Sequence, residues 1–316
     1  MVRIEFNADS AYAFCAAQCD FGPRTMNSEA HERCADWIEQ KFMSYGYGVT
    51  RQQADLKGYD GTVLHATNII ATSSLPGDST ADAAPGGSAV GKPRILICAH
   101  WDSRPWADND PDSANWHKPV MAANDGASGV AVMLELARIL QQNDSARVAV
   151  DFICFDAEDW GVPQWLPEAD SDSWALGAQY WASTYNPHDT HSTHSPHSYD
   201  YAILLDMVGG QGARFCREQF SLQYARSVVE KVWQAAAAAG YGSFFPSKDG
   251  LGITDDHLPV NEVAHIPCID IIPYYPDCEQ SSFGPTWHTV SDDMQHIDRN
   301  TLQAVGQTFV QLIYSE

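Results

Sequence analysis

Three carboxylates fall within four residues at Asp156-Ala157-Glu158-Asp159, directly after the largely apolar run Val148 to Phe155. Four other places carry imidazole or carboxylate groups in similar settings: His100 with Asp102, then Asp125, Asp206 and His288. Taken singly, each has an ordinary explanation as a surface histidine, a helix cap or a solvated acidic turn. Together they form a coherent donor set. Imidazole nitrogen and carboxylate oxygen suit zinc, whose catalytic sites keep three protein ligands and one open position. Of two adjacent carboxylates, one held by a cation leaves the other free to move a proton, and Glu158-Asp159 offers such a pair. Adjacent side chains on a regular strand point to opposite faces, so this division of labour requires a turn, which Trp160-Gly161 and Pro163 make available. Asp102, two residues beyond His100, stands where it could orient that imidazole.

These groups need strand ends to bring them together. Val148 to Phe155 reads as a buried parallel strand, a kind that delivers charged residues to a crevice at its carboxyl end. Arg94 to Ala99 ends at His100, Tyr201 to Met207 carries Asp206 near its end, and Cys268 to Ile272 is a further strand. Val49 to Leu56 and Val63 to Thr72 read as a strand pair around an Asp60-Gly61 turn. Helical periodicity marks a segment capped by Ser28, then Val130 to Gln141, Trp174 to Tyr185, Leu222 to Ala239 and Thr301 to Ile313, with a short helix ahead of Asp20. Asp255-Asp256-His257 falls in a connection. Strands alternating with helices predict an α/β fold, residues 1–316 as a single domain, with a central, mostly parallel twisted sheet and helices on both faces. Residues 73–92, rich in Ser, Gly, Pro and Ala, read as a surface loop or insertion. His188, His191, His194 and His197 recur every third residue, but Pro187 and Pro196 argue against a helical metal face and for a solvated loop.

Composition narrows the partners. With 18 basic and 41 acidic residues the net charge is −23, which repels a phosphate backbone and an anionic membrane. Nucleic acid is therefore excluded as a partner, and no apolar run approaches the ~20 residues of a membrane span. The eight cysteines are scattered without a CxxC pair, against a cysteine zinc site or a disulfide framework. Met1-Val-Arg-Ile-Glu-Phe does not read as a signal peptide.

The motifs His100-Trp-Asp-Ser, Ala123-Asn-Asp125-Gly-Ala-Ser-Gly-Val, Glu158-Asp159, Leu205-Asp206-Met and Trp287-His288-Thr289 resemble the zinc aminopeptidase-like α/β fold shared by dizinc aminopeptidases and glutaminyl cyclases. Bacterial glutaminyl cyclases of the mammalian type are most similar, through Asp206-Met-Val-Gly-Gly, Thr254-Asp-Asp-His-Leu-Pro and Pro285-Thr-Trp-His-Thr followed by Asp292 or Asp293. The resemblance implies one zinc per chain on Asp125, Asp159 and His288, with Glu158 as proton shuttle and Asp206 and Asp255 completing a carboxylate network. Asp256 replaces Asp255 if the register slips by one. Trp287 walls the substrate pocket, and either Trp165 or Trp174 supplies a second wall. Two departures stand out. Asp159 occupies a position where the mammalian enzymes and the aminopeptidases have Glu, so the backbone must approach closer. The mammalian disulfide cannot form, because Ala99 and the stretch Gly126 to Val130 hold no cysteine.

The implied reaction is cyclisation of N-terminal glutamine in peptides or proteins to pyroglutamate, an acyl transfer that releases ammonia. A dizinc aminopeptidase is the rival in the same fold, with His100, Asp125, Asp159, Asp206 and His288 holding two zincs. A metal- or peptide-binding protein without turnover is a third reading, and it leaves Glu158 without a task. Family analogy adds a periplasmic or secreted location, which requires a leader, and a monomer is expected.

Overall fold

The computed structural model describes residues 4–73, 92–188 and 197–315. Among these residues six strands form one sheet: β1 (Gly48–Lys57), β2 (Val63–Thr72), β3 (Arg94–His100), β4 (Ala149–Phe155), β5 (Tyr201–Leu205) and β6 (Cys268–Ile271). Their order across the sheet is β1-β2-β4-β3-β5-β6. The four strands from β4 to β6 are parallel, while β1–β2 and β2–β4 are antiparallel. The site-bearing half of the sheet is thus the parallel half, with a two-stranded antiparallel extension on one side.

Among the described residues seven helices accompany it: α1 (Ala8–Cys19), α2 (Glu29–Ser44), α3 (Ala127–Gln142), α4 (Leu176–Thr184), α5 (Gln219–Ala239), α6 (His257–Glu262) and α7 (Arg299–Ser315). They lie on both faces, and the period-2 alternation of the strands divides the core accordingly. Ile95, Ile97, Phe152 and Ile203 pack with residues of α1, α2, α3, α5 and α7. Leu96, Cys98, Ile153 and Phe155 pack with residues of α4 and α6. Every residue of β3, β4, β5 and β6 is buried. Burying each Leu, Ile or Phe contributes about 1.5–3 kcal/mol, so the strand ends at the site are carried by the most stable part of the molecule. The eight cysteines are free thiols, seven of them buried.

Three local departures from the sequence expectations bear on the site. Helix α6 occupies what reads as a connection, because six residues with Pro259 inside give no helical periodicity to detect. Helix α3 starts at Ala127 instead of Val130, capped by Gly126 at φ 105°. Strand β5 ends at Leu205, so Asp206 stands just beyond it. Residues 74–91 of the expected 73–92 loop, and His191 and His194, lie outside the described residues.

The two ends of the chain meet. Phe6 is buried against α7, where it fills the space beside Gly306, and its N–H donates to Gln307 Oε1 at 2.8 Å.

Candidate metal centre and cavity

The acidic turn after β4 is folded by two buried aspartates. Asp156 accepts the N–H of Ala157 at 2.8 Å and of Thr67 at 2.6 Å, and His31 Nε2 lies 2.8 and 2.9 Å from its two oxygens. It is structural. Asp102 accepts the N–H of Glu158 at 3.0 Å and of Asp159 at 3.1 Å, one on each oxygen. Its carboxylate also lies 3.4 Å from His100 Nδ1, the contact the sequence suggested, but its hydrogen bonds go to the turn. Ala157 takes φ 51°, a left-handed conformation that costs about 1–2 kcal/mol outside glycine. Held this way, adjacent side chains no longer alternate as on a strand. Asp159 Oδ1 comes within 3.2 Å of His288 Nε2, so its shorter side chain reaches the centre, while Glu158 turns into a cavity.

The other groups arrive on equally fixed supports. Asp125 precedes α3, and the N–H groups of Asn124 and Asp125 both donate to Asp292, at 2.7 and 3.0 Å. Asp292, not Asp293, is therefore the acidic partner after the Trp287-His288 motif. Asn124 Oδ1 accepts Gly209 N–H at 2.9 Å, and Ser128 Oγ accepts Val208 N–H at 3.0 Å, which ties the start of α3 to the Asp206 turn. Met207 and His288 are also left-handed, at φ 49° and 53°. Strained backbone thus recurs where the donors are presented.

Two triads offer ligand atoms within 4.8 Å of one another: Asp125 with Asp159 and His288, and His100 with Asp125 and Asp206. Asp125 belongs to both, its Oδ1 3.0 Å from His100 Nε2 and its Oδ2 3.4 Å from His288 Nε2. Asp206 Oδ1 lies 3.3 Å from His100 Nε2. Both oxygens of Asp159 and Oδ1 of Asp206 are buried without a hydrogen-bond partner. Buried carboxylate oxygens that lack donors are costly unless a cation meets them, and one imidazole with two carboxylates is a donor set suited to zinc. The residues fit the metal.

Electrostatics agree with that assignment. Burial favours the neutral forms of His100 and His288, yet the surrounding carboxylates outweigh it and raise both imidazoles well above their ordinary range. A field that holds a proton on an imidazole will also hold a cation there, and binding the cation releases the proton. Burial also works on Asp125, but hydrogen bonds from His100 and His288 keep it well below the usual carboxylate range. Glu158 is pushed well above that range, by burial first and then by the charges of Asp159, Asp255 and Asp256 against the opposing pull of His100. Asp255 rises to about 7 through burial and the charge of Asp206.

Glu158, Asp206 and Asp255 open together onto a cavity of about 690 Å³ that also reaches Asp125 and His288. Trp174 and Trp287 wall it. Their indoles lie near the His288 imidazole, that of Trp287 at a ring-centroid distance of 3.8 Å and that of Trp174 at 6.0 Å and nearly parallel. Asp255 lines the cavity, whereas Asp256 is buried and is not among its lining residues.

Trp165 is not among the residues that line the cavity. Leu166 N–H bonds back to the Pro163 carbonyl at 3.1 Å, and in this turn Leu166 faces inward while Trp165 stacks on Trp116 and meets the edge of Trp106. Sequence reasoning also missed Arg104 and Asp108. Arg104 is fully buried and forms a two-bond fork with Asp108, whose Oδ1 lies 3.4 Å from His288 Nδ1. A basic residue after a short motif reads as surface, and nothing in its neighbours signals otherwise.

Residues 81–313 match Peptidase family M28, and the chain belongs to that family. Among solved structures, the glutaminyl cyclase of Bacteroides thetaiotaomicron bound to N-acetylhistamine is 45% identical, with a TM-score of 0.87 over 99% of both chains. A structure described as a leucine aminopeptidase precursor from the same species is 44% identical, with a TM-score of 0.87 over 100% of both chains. The curated glutaminyl-peptide cyclotransferase of Gloydius blomhoffii is 27% identical over 70% of this chain. The chain spans 62% of that relative's length and 40% of a second curated relative, an aminopeptidase.

Proposed function

We propose that the chain is a zinc-dependent glutaminyl-peptide cyclotransferase, which converts the N-terminal glutamine of peptides or proteins to pyroglutamate with release of ammonia. One observation carries the reading. Glu158, buried and facing an aromatic-walled cavity with Asp255, stands beside a complete His/Asp/Asp donor set and is not part of it. Similarity to glutaminyl cyclases over the full chain supports it.

In this reading Asp125, Asp159 and His288 hold one zinc, and Asp206 stays in the carboxylate network with His100. When bound, zinc supplies Lewis acidity toward the γ-carbonyl oxygen of the substrate. Trp174 and Trp287 fold the glutamine side chain back on its own α-amine, and tethering a nucleophile in attack geometry is worth several kcal/mol. The amine nitrogen bonds to the γ-amide carbon. Glu158 accepts the proton that the amine loses and returns it to the amide nitrogen, so the C–N bond breaks with ammonia as the leaving group. Asp255 accepts a hydrogen bond from that nitrogen as it departs. The indole walls exclude water, which would otherwise hydrolyse the amide to glutamate.

The rival reading, a dizinc aminopeptidase, is favoured by the second triad of His100, Asp125 and Asp206. One assay separates them. A glutaminyl dipeptide should release ammonia with its peptide bond intact; release of free leucine from leucyl amide would overturn the cyclase reading. Metal analysis should give one tightly held zinc per chain, against two for the rival. Among the described residues no helix is long and apolar enough to cross a membrane. A periplasmic or secreted location and a monomeric state complete the proposal, to be read by cell fractionation and light scattering.

A further inference from the structure

Arg104 is not among the residues that line the cavity, yet it contacts several of the groups that build the site. Its Nε and Nη2 donate to the two oxygens of Asp108 at 3.1 and 2.6 Å. Its Nη1 donates to the backbone carbonyls of Asp159 and Gly161 at 3.0 and 2.8 Å. Its Cζ lies over the Trp174 ring, 4.6 Å from the ring centroid, and over Trp106 at 5.2 Å. One planar cation therefore touches three parts of the site: a proposed ligand's backbone at Asp159, the support of a second ligand through Asp108 and His288, and the cavity wall at Trp174. Asp108 extends the brace, accepting Gln164 N–H at 2.9 Å where the cavity loop begins.

Geometry requires arginine here. A lysine ammonium can satisfy one or two of these acceptors, but it cannot fork onto a carboxylate and reach two carbonyls at once. The close packing of this corner leaves no room for slack, since a Cβ at Gly161 would sit 2.0 Å from a Trp174 ring carbon.

We propose that Arg104 is a positioning residue that makes the His288–Asp159 half of the metal centre and the Trp174 wall a single mechanical unit, so that zinc binding and wall position are coupled. The inference rests on the zinc reading above.

Its test uses Zn2+ alone on the metal-stripped full chain, with chelator competition for affinity and tryptophan emission for the wall. The emission change on adding zinc is compared with that of W174F, and the difference isolates Trp174. In the parent protein zinc should bind and Trp174 should respond. R104K should lose zinc affinity by about 10- to 100-fold, the range for groups that hold a ligand in place, and its Trp174 response should vanish while far-UV circular dichroism stays native. D108N, which keeps the cation and breaks the fork, should reproduce the affinity loss if R104K does not fold. Unchanged affinity together with an unchanged Trp174 response in the folded variant overturns the proposal. Failure of the parent to bind zinc overturns the zinc reading instead, so the two failures are distinguishable.

Discussion

At the scale of single residues, the site divides into groups that a sequence exposes and groups that it hides. Glu158, Asp159, Asp206 and His100 are legible as a set, because each stands at the end of an apolar run that reads as a buried strand. Asp102 was visible, but its main task was not, since two acceptances from the Glu158 and Asp159 N–H groups depend on a turn that the sequence does not encode in any one residue. Replacing Glu158 with Gln should abolish ammonia release while the zinc stoichiometry is unchanged; activity that survives would remove Glu158 from the proton path. D102N places an amide where two backbone donors need two acceptors. It should lower stability by about 1.5–3 kcal/mol, the range for a buried hydrogen bond to a charged group, as read from the denaturation midpoint, and it should weaken zinc binding as well.

At the scale of elements, the strands and long helices follow from periodicity, and the failures come where periodicity is too short to register. Helix α6 spans six residues, and only with it in place does Asp255 face the cavity while Asp256 faces away. The order of strands was equally hidden: β4 sits between antiparallel β2 and parallel β3, and no local pattern records a neighbour. Trp174 became a wall because α4 begins at Leu176, after Ala175 at φ 55°, leaving the indole ahead of the helix and free to turn inward. Gly161 is its seat. G161A should displace that indole and raise KM for glutaminyl peptides by about 10- to 100-fold, the scale of an ångström of misplacement near a reacting group, and, through the coupling at Arg104, weaken zinc binding as well. An unchanged KM would show that the wall does not set the substrate's position.

At the scale of the whole molecule, a net charge of −23, with Glu168 and Asp170 among the cavity lining, favours the approach of cationic peptides over acidic ones. Glutaminyl substrates with a basic second residue should show a higher kcat/KM than those with an acidic one. The gap should close as ionic strength rises toward 1 M, where screening shortens to about 3 Å. A gap that persists in salt would assign the preference to direct contacts instead. Metal removal is also felt globally. Because zinc binds the folded chain, stripping it should lower the melting temperature by an amount that grows with the zinc concentration of the reference sample.

The meeting of the chain ends adds a kinetic consequence. Phe6 is seated by Gly306 and Gln307, about three hundred residues away, so its pocket does not exist until the last helix has been made. Contacts of such long sequence separation close late and slow the search for the native state. During synthesis Phe6 therefore emerges without its seat and gains it only once the Gly306–Gln307 turn of α7 has left the ribosome.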